Sequence, residues 1–473
     1  MPSVKKNLFF KTLLTVSSYL IAFITFPYIT RVLGVEKLGI INFVDNTINT
    51  FLLFATMGIS LLGTREIAMV KNDYQERSIV FTNILGLNLL FTFIVLFSFV
   101  VSIILVPQLQ EHKYLFYIGT SKILFTAFVV EWFYTGIESF KYITYRTLLI
   151  RIAYVIAVFV FVRAEEDYVL YFVLTISIVL LNAVVNFLHV RRYISIKWLW
   201  LFRFSYIRES LTLGIYNLMT SMYITFNVMF LGFVSSKIEV GYYSTAFKLY
   251  SVILSLFYAL TEVMLPRMSS LMAIGDSVKF NVYANRSLSI IINISIPIII
   301  VGTIMAPQIV SVIAGPGYEG AVFPMQIIMF ALLPVGIAQV LSRQILLPMK
   351  KERILLLSSI LGGIMAVVIN ILLVGYLKSV GSAVVLLLSE YLVTLTYIIY
   401  IRKKKILNFT PKTISRELIC VILLSLSCKI ISAYIHTPIY SLLLIVLVGI
   451  IIYGTMYLDE IVSYIMRKNN YAR

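Results

Sequence analysis

Apolar runs of about 20 residues, parted by short polar and charged breaks, recur from one end of the chain to the other. A run of that length crosses a hydrocarbon core of about 30 Å as a helix. A helix also satisfies its own backbone polar groups, which lipid cannot do. The pattern predicts spans near 12–33, 40–64, 79–106, 114–137, 147–163 and 168–189. After the connector RRYISIKWLWLFRFSYIRES it predicts eight more, near 212–234, 241–265, 287–306, 322–347, 354–376, 380–401, 416–434 and 439–464. The expected fold is an all-α polytopic membrane protein of about 14 transmembrane helices. Its expected parts are a six-helix bundle over 1–190, a basic cytoplasmic connector over 191–211, a second six-helix bundle over 212–405, and two additional helices with a tail over 406–473.

Composition agrees: 60% of the 473 residues are hydrophobic, 13% are charged, and mean hydropathy is +0.97. The first apolar run follows Lys5, Lys6 and Lys11. It is too long for a signal peptide and lacks a small-residue cleavage site, so it is expected to be a retained span. A net charge of +18 would suggest nucleic acid in a soluble protein. Here the cations sit in short loops, so no nucleic-acid partner is expected. Of the 39 Lys and Arg, 30 fall in loops on the side of the two termini and seven in the opposite loops, with Lys122 and Lys248 inside spans. Positive-inside bias then places both termini in the cytoplasm and the acidic loop at Glu165, Glu166 and Asp167 outside.

A shift of 202 residues lays VEKLGIINF (35–43) over KIEVGYYST (237–245), matches Gly39 to Gly241 and carries Arg65 onto Arg267. With six spans on either side of the connector, this points to a duplicated bundle of the kind found in transporters.

Polar groups inside apolar runs are the candidate site. Asn42, Asp45, Asn46 and Asn49 recur at steps of three and four, which stacks them on one helix face. The stripe reads either as glue between helices or as the wall of a water-filled cavity. Lys248 occupies the repeat position of Asn46. Glu262 lies 14 residues further on, about 21 Å along the axis and about 40° from the same face. A mid-membrane charge costs on the order of 3 kcal/mol, so Lys248 is expected either to bind anionic substrate or to be held by a carboxylate such as Asp45 or Glu390. Lys122, Glu131 and Arg151 are further charges at span depth, and Arg31 stands beside the outer end of the first span, after Pro27.

A phosphate-binding GxxxxGK[ST] loop is missing, since GPGYEG (315–320) lacks the required Lys and hydroxyl residue. His112, His189 and His436 lie in separate segments, and Cys420 and Cys428 share one apolar run. No catalytic residue, metal ligand or cofactor is expected.

Four segments carry a resemblance: PYITRVLGVEKLGIINF (27–43), MGISLLGTREIA (57–68), EWFYTGIESFKYITYR (131–146) and SRQILLPMKKERILL (342–356). They resemble the Wzx-type lipid-linked oligosaccharide flippases, the polysaccharide-export branch of the MOP superfamily, which also holds the MATE drug exporters and the lipid II flippases. The resemblance implies two pseudo-symmetric, MATE-like six-helix bundles that alternate between inward-open and outward-open states. It implies a substrate, an oligosaccharide repeat unit on undecaprenyl diphosphate, moved across a bacterial inner membrane with ion-coupled exchange. The implied partners are membrane lipids, a polysaccharide polymerase and chain-length proteins. Carried onto this chain, it points to Arg31, Arg65, Glu66, Glu131 and Glu138. The expected substrate contacts are thus Lys248, Arg31, Asn42, Asn49 and Arg65, and the expected coupling or pairing acids are Asp45, Glu262, Glu390 and Glu131. A MATE-type exporter of small amphipathic cations and a membrane polysaccharide polymerase or lipid-sugar transferase stand as alternatives.

Overall fold

A computed structural model describes residues 4–195, 204–221, 225–407 and 414–456. Among them regular structure is entirely helical. Part of the expected connector and the end of the last expected span lie outside the described residues. The helices, in order, are α1 (Val4–Ala55), α2 (Ile59–Met69), α3 (Tyr74–Leu105), α4 (Pro107–Gln110), α5 (Lys113–Thr126), α6 (Glu131–Gly136), α7 (Phe140–Phe161) and α8 (Tyr168–Val190). They continue as α9 (Phe204–Ser221), α10 (Asn227–Val234), α11 (Lys237–Ile274), α12 (Ser277–Ile304), α13 (Ala306–Ile313), α14 (Val322–Met329) and α15 (Leu332–Gln339). The last four are α16 (Glu352–Ile369), α17 (Gly375–Lys403), α18 (Ile414–Tyr434) and α19 (Pro438–Met456).

The chain is a multi-pass membrane protein. Nine of the described helices are long and apolar enough to cross a bilayer, or ten if a pair bent by 43° at residues 329–332 counts as one span. Sequence reading expects about 14; two pairs of expected spans count as one each although a kink divides them, another is the bent pair, the span expected at 212–234 includes residues outside those described, and that expected at 416–434 is a shorter apolar helix. The first two expected spans are the two parts of α1 on either side of a kink at Gly34 (φ 68, ψ 174), within the expected break and in a conformation open to glycine because it has no Cβ. The span expected at 114–137 splits into α5 and α6, with Val130 in the left-handed region between them. The spans expected at 354–376 and 380–401 run together through α16 and α17, with a break at Lys378 (φ 53, ψ −126).

Two compact units divide the chain: residues 1–244 with 362–385, and residues 245–361 with 386–473. In the first, the core gathers on Phe81, Trp132, Phe133 and Tyr134. The segment EWFYTG forms α6; its Trp132 stacks on Phe81 with ring centroids 5.3 Å apart, and the Tyr134 hydroxyl donates to the Asn186 carbonyl at 2.7 Å. The repeat-matched glycines meet in the same unit. A Cβ on Gly39 would lie 1.8 Å from the Lys237 carbonyl oxygen, and one on Gly241 would lie 2.4 Å from that of Val35. Only glycine permits the start of α11 to approach α1 so closely. In the second unit, α18 packs on α12 and α19 on α13, with Met305, Leu424, Cys428, Ile431 and Ile445 at the core. Gln308 also donates to the Ser432 hydroxyl at 2.8 Å.

Candidate functional site: a paired charge cluster and a cationic cavity

The polar stripe of α1 faces α5. Lys122 of α5 donates to Asp45 Oδ1 at 2.5 Å and to Asn49 Oδ1 at 2.9 Å. Asn49 Nδ2 donates in turn to Asp45 Oδ2 at 3.0 Å, and Asn46 Nδ2 caps the Asn42 carbonyl at 2.8 Å. The Asp45 and Lys122 side chains are 26% and 12% exposed. Removed from water this far, each charge needs the other and needs hydrogen bonds on its remaining positions. Tyr154 of α7 and Tyr171 of α8 lie within electrostatic reach of Asp45. The stripe is thus a junction of four helices built on one ion pair.

Other expected residues of the first unit are also engaged. Arg31 is exposed, and its Nη1 donates to the Pro27 carbonyl at 2.7 Å. Arg65 sits between Glu66, at 2.9 Å, and Glu209. The hydrogen bonds it donates to Glu209 and then Glu66 hold its guanidinium above the ordinary arginine value. Glu131 opens α6 and accepts from Arg146 Nη2 at 2.8 Å. Glu138, flagged by the resemblance, accepts from Lys71 at 3.1 Å.

In the second unit, α11 and α12 enclose a cavity of about 760 Å³ together with Gln344. Leu256, Phe257, Leu260, Ile290, Ile291 and Ile294 make its apolar wall, and Arg267, Tyr283 and Arg286 line it as well. The two helices run antiparallel here, so the arginines gather at one end and the aliphatic side chains at the other. Arg267 lies 4.2 Å over the Tyr283 ring and donates to its hydroxyl. Gln344, which lines this cavity, is buried, and its Oε1 has no hydrogen-bond partner in the protein. No carboxylate is among the described lining residues. The result is an amphipathic pocket with a cationic head and an apolar body.

Lys248 and Glu262 belong to α11, both half-buried, and Glu390 is buried on α17. Glu262 pairs with Arg343, each side chain more than a third exposed. The structure therefore brings Asp45 to Lys122, which sequence reading singled out only as an isolated charge. It also brings Arg267 to Arg286, whose place in a cavity sequence reading missed. For Arg267 a signal existed, its repeat match to Arg65; Arg286 was counted as a loop charge.

The family profile described as "Polysaccharide biosynthesis protein" matches residues 4–272. Two proteins named "Putative O-antigen transporter" are similar. That of Escherichia coli K12 is 25% identical over 411 residues, covering 86% of this chain and 98% of its own length. That of Shigella dysenteriae is 25% identical over 406 residues, covering 83% and 98%. Among solved structures, the lipid II flippase MurJ in an inward-closed conformation superposes with a TM-score of 0.74 at 14% identity, over 96% of this chain and 100% of that one. An inward-facing multidrug resistance MATE family transporter of the MOP superfamily superposes with a TM-score of 0.62 at 11% identity, over 82% and 93%. The fold is like that of these two solved structures.

Proposed function

The chain belongs to the polysaccharide biosynthesis protein family, and from that premise we propose that it is a flippase for undecaprenyl-diphosphate-linked oligosaccharide repeat units. It works by alternating access in the bacterial inner membrane, with both termini cytoplasmic, and it is a transporter and not an enzyme. The observation that carries this reading is the cavity of the second unit, where Arg267 and Arg286 head an apolar pocket. A glycosylated lipid diphosphate brings two negative charges and a hydrocarbon tail, and fixed cations beside an apolar wall replace water that its head loses. Gln344 offers an acceptor to a sugar hydroxyl. Lys248, half-buried on the same α11, adds a further cation to that helix, and Arg31 an exposed one on α1.

Directional movement without a nucleotide site requires an ion gradient or removal of product. Asp45, Glu262 and Glu390 are the acids proposed for ion coupling, and Asp45 is favoured because it is paired with a lysine inside a helix junction. The charge of Arg65 is balanced by two carboxylates and that of Glu131 by Arg146, so both are assigned to holding helix ends. A polysaccharide polymerase and chain-length proteins are the proposed partners that consume the product. Export of small organic cations is the weaker reading, because arginines line the cavity and would repel such cargo.

The test is proteoliposomes holding the purified protein and a fluorescent lipid-linked oligosaccharide in one leaflet. Protection from an external quencher should rise with the protein present, and a cationic dye should not move. Movement of the dye and not of the glycolipid would overturn the reading.

A further inference from the structure

A second groove, of about 700 Å³, lies on the first unit and is lined by Ser139, Lys141, Tyr142, Tyr145, Arg146 and Leu149 among others. The side chain of Arg146 is only 4% exposed. Its Nη2 donates to Glu131 and to the Thr147 hydroxyl, both at 2.8 Å. Its Nε and Nη1 are buried with no acceptor in the protein. Leaving a buried donor unmade costs about 1–3 kcal/mol, more for a charged group, so this guanidinium is built to receive something.

Three further features give that something a sign and a shape. Ser139 starts the 22-residue α7 without a side-chain cap, which leaves the first backbone N–H groups and the positive end of the helix dipole at the groove. Lys141 is exposed beside it, 5.9 Å from the Tyr145 ring centroid. Arg192 lies within electrostatic reach of Tyr142 and of His189, which stacks on Tyr142 at 4.0 Å. The opposing charge is Glu131, half exposed and already held by Nη2. Beyond the cationic end, Leu149, Ile150 and Val185 continue the groove. Leu149, Ile152 and Ile156, each more than half exposed, carry the apolar surface along α7. Positive-inside bias puts this end of α7 at the cytoplasmic surface, where anionic lipids act on basic residues.

We propose that this groove holds an anionic phospholipid of the bilayer, its phosphate on Arg146, Lys141 and the start of α7 and one acyl chain along Leu149 and Ile150. The site is separate from the cavity of the second unit, and its single-phosphate scale of charge suits a resident lipid better than a diphosphate cargo. Bound there, the lipid supplies the acceptors that Arg146 lacks and ties the start of α7 to α6.

The test is native mass spectrometry of the delipidated protein, titrated separately with phosphatidylglycerol, phosphatidylcholine of the same chains and a polyprenyl diphosphate. The tightest phosphatidylglycerol site should bind about tenfold more strongly than phosphatidylcholine, as one charge-assisted contact of about 1.4 kcal/mol implies. Lys141→Gln, at an exposed position that folding tolerates, should erase that preference, as should Arg146→Gln, while Arg146→Lys keeps part of it. Equal binding of the two phospholipids, an unchanged preference in Lys141→Gln, or displacement of phosphatidylglycerol by an equimolar polyprenyl diphosphate would each overturn the assignment.

Discussion

In the first unit the carboxylate of Asp45 is closed by Lys122 and Asn49, all within one helix junction. In the second, Arg267 and Arg286 line an apolar cavity whose described walls carry no carboxylate. The pair of the first is largely withdrawn from water, whereas both arginines of the second are exposed along the cavity. A pair offsets desolvation internally and needs nothing from outside. Cations along a cavity can also act on a guest, which is the role proposed for Arg267 and Arg286. On the proposed function, the difference separates residues that hold the scaffold from residues that meet cargo, although both look alike in sequence as charges within or beside apolar runs.

The sharpest way to break this contrast is Asp45→Ala. It strands Lys122 in a site where one partner's removal costs about 3–5 kcal/mol. The detergent-solubilised protein should lose much of its thermal midpoint, measured by intrinsic fluorescence, while the double change Asp45→Leu with Lys122→Leu should recover most of it. A double variant as unstable as Asp45→Ala would mean that the pair matters for more than charge balance. A smaller effect is expected at the boundary between the two classes. Arg343 and Glu262 pair on α11 and its neighbour, but both are more than a third exposed, so Arg343→Gln should shift stability by no more than about 1 kcal/mol. A shift as large as that of Asp45→Ala would place this pair with the closed cluster.

Much of the scaffold was legible because one physical demand, burial of about 20 apolar residues per crossing, repeats in the sequence. Breaks inside the runs were not. Val130 interrupts the helical path in the midst of apolar sequence, where hydropathy carries no signal of backbone path, whereas Gly34 lies at the break expected between residues 33 and 40. The Asp45 to Asn49 contact is a step of four on one helix and could be read directly. Its cation could not, because Lys122 lies 77 residues away and only helix packing brings it there. The same holds for Arg267 and Arg286, which sequence assigns to loops and the antiparallel course of α11 and α12 assigns to one cavity. The segment EWFYTG was legible as a family mark, but its aromatic residues turn out to build the core of the first unit around Trp132 and Tyr134.

The central claim is that the arginine cavity selects an anionic lipid and contributes little to stability. Arg267→Gln with Arg286→Gln tests it directly, with thermal midpoint and glycolipid translocation in proteoliposomes measured on the same preparation. The account predicts a midpoint within a few degrees of the parent and translocation reduced at least about tenfold, the loss of one charge-assisted contact or more. Translocation at the parent rate by a stably folded double variant would contradict it.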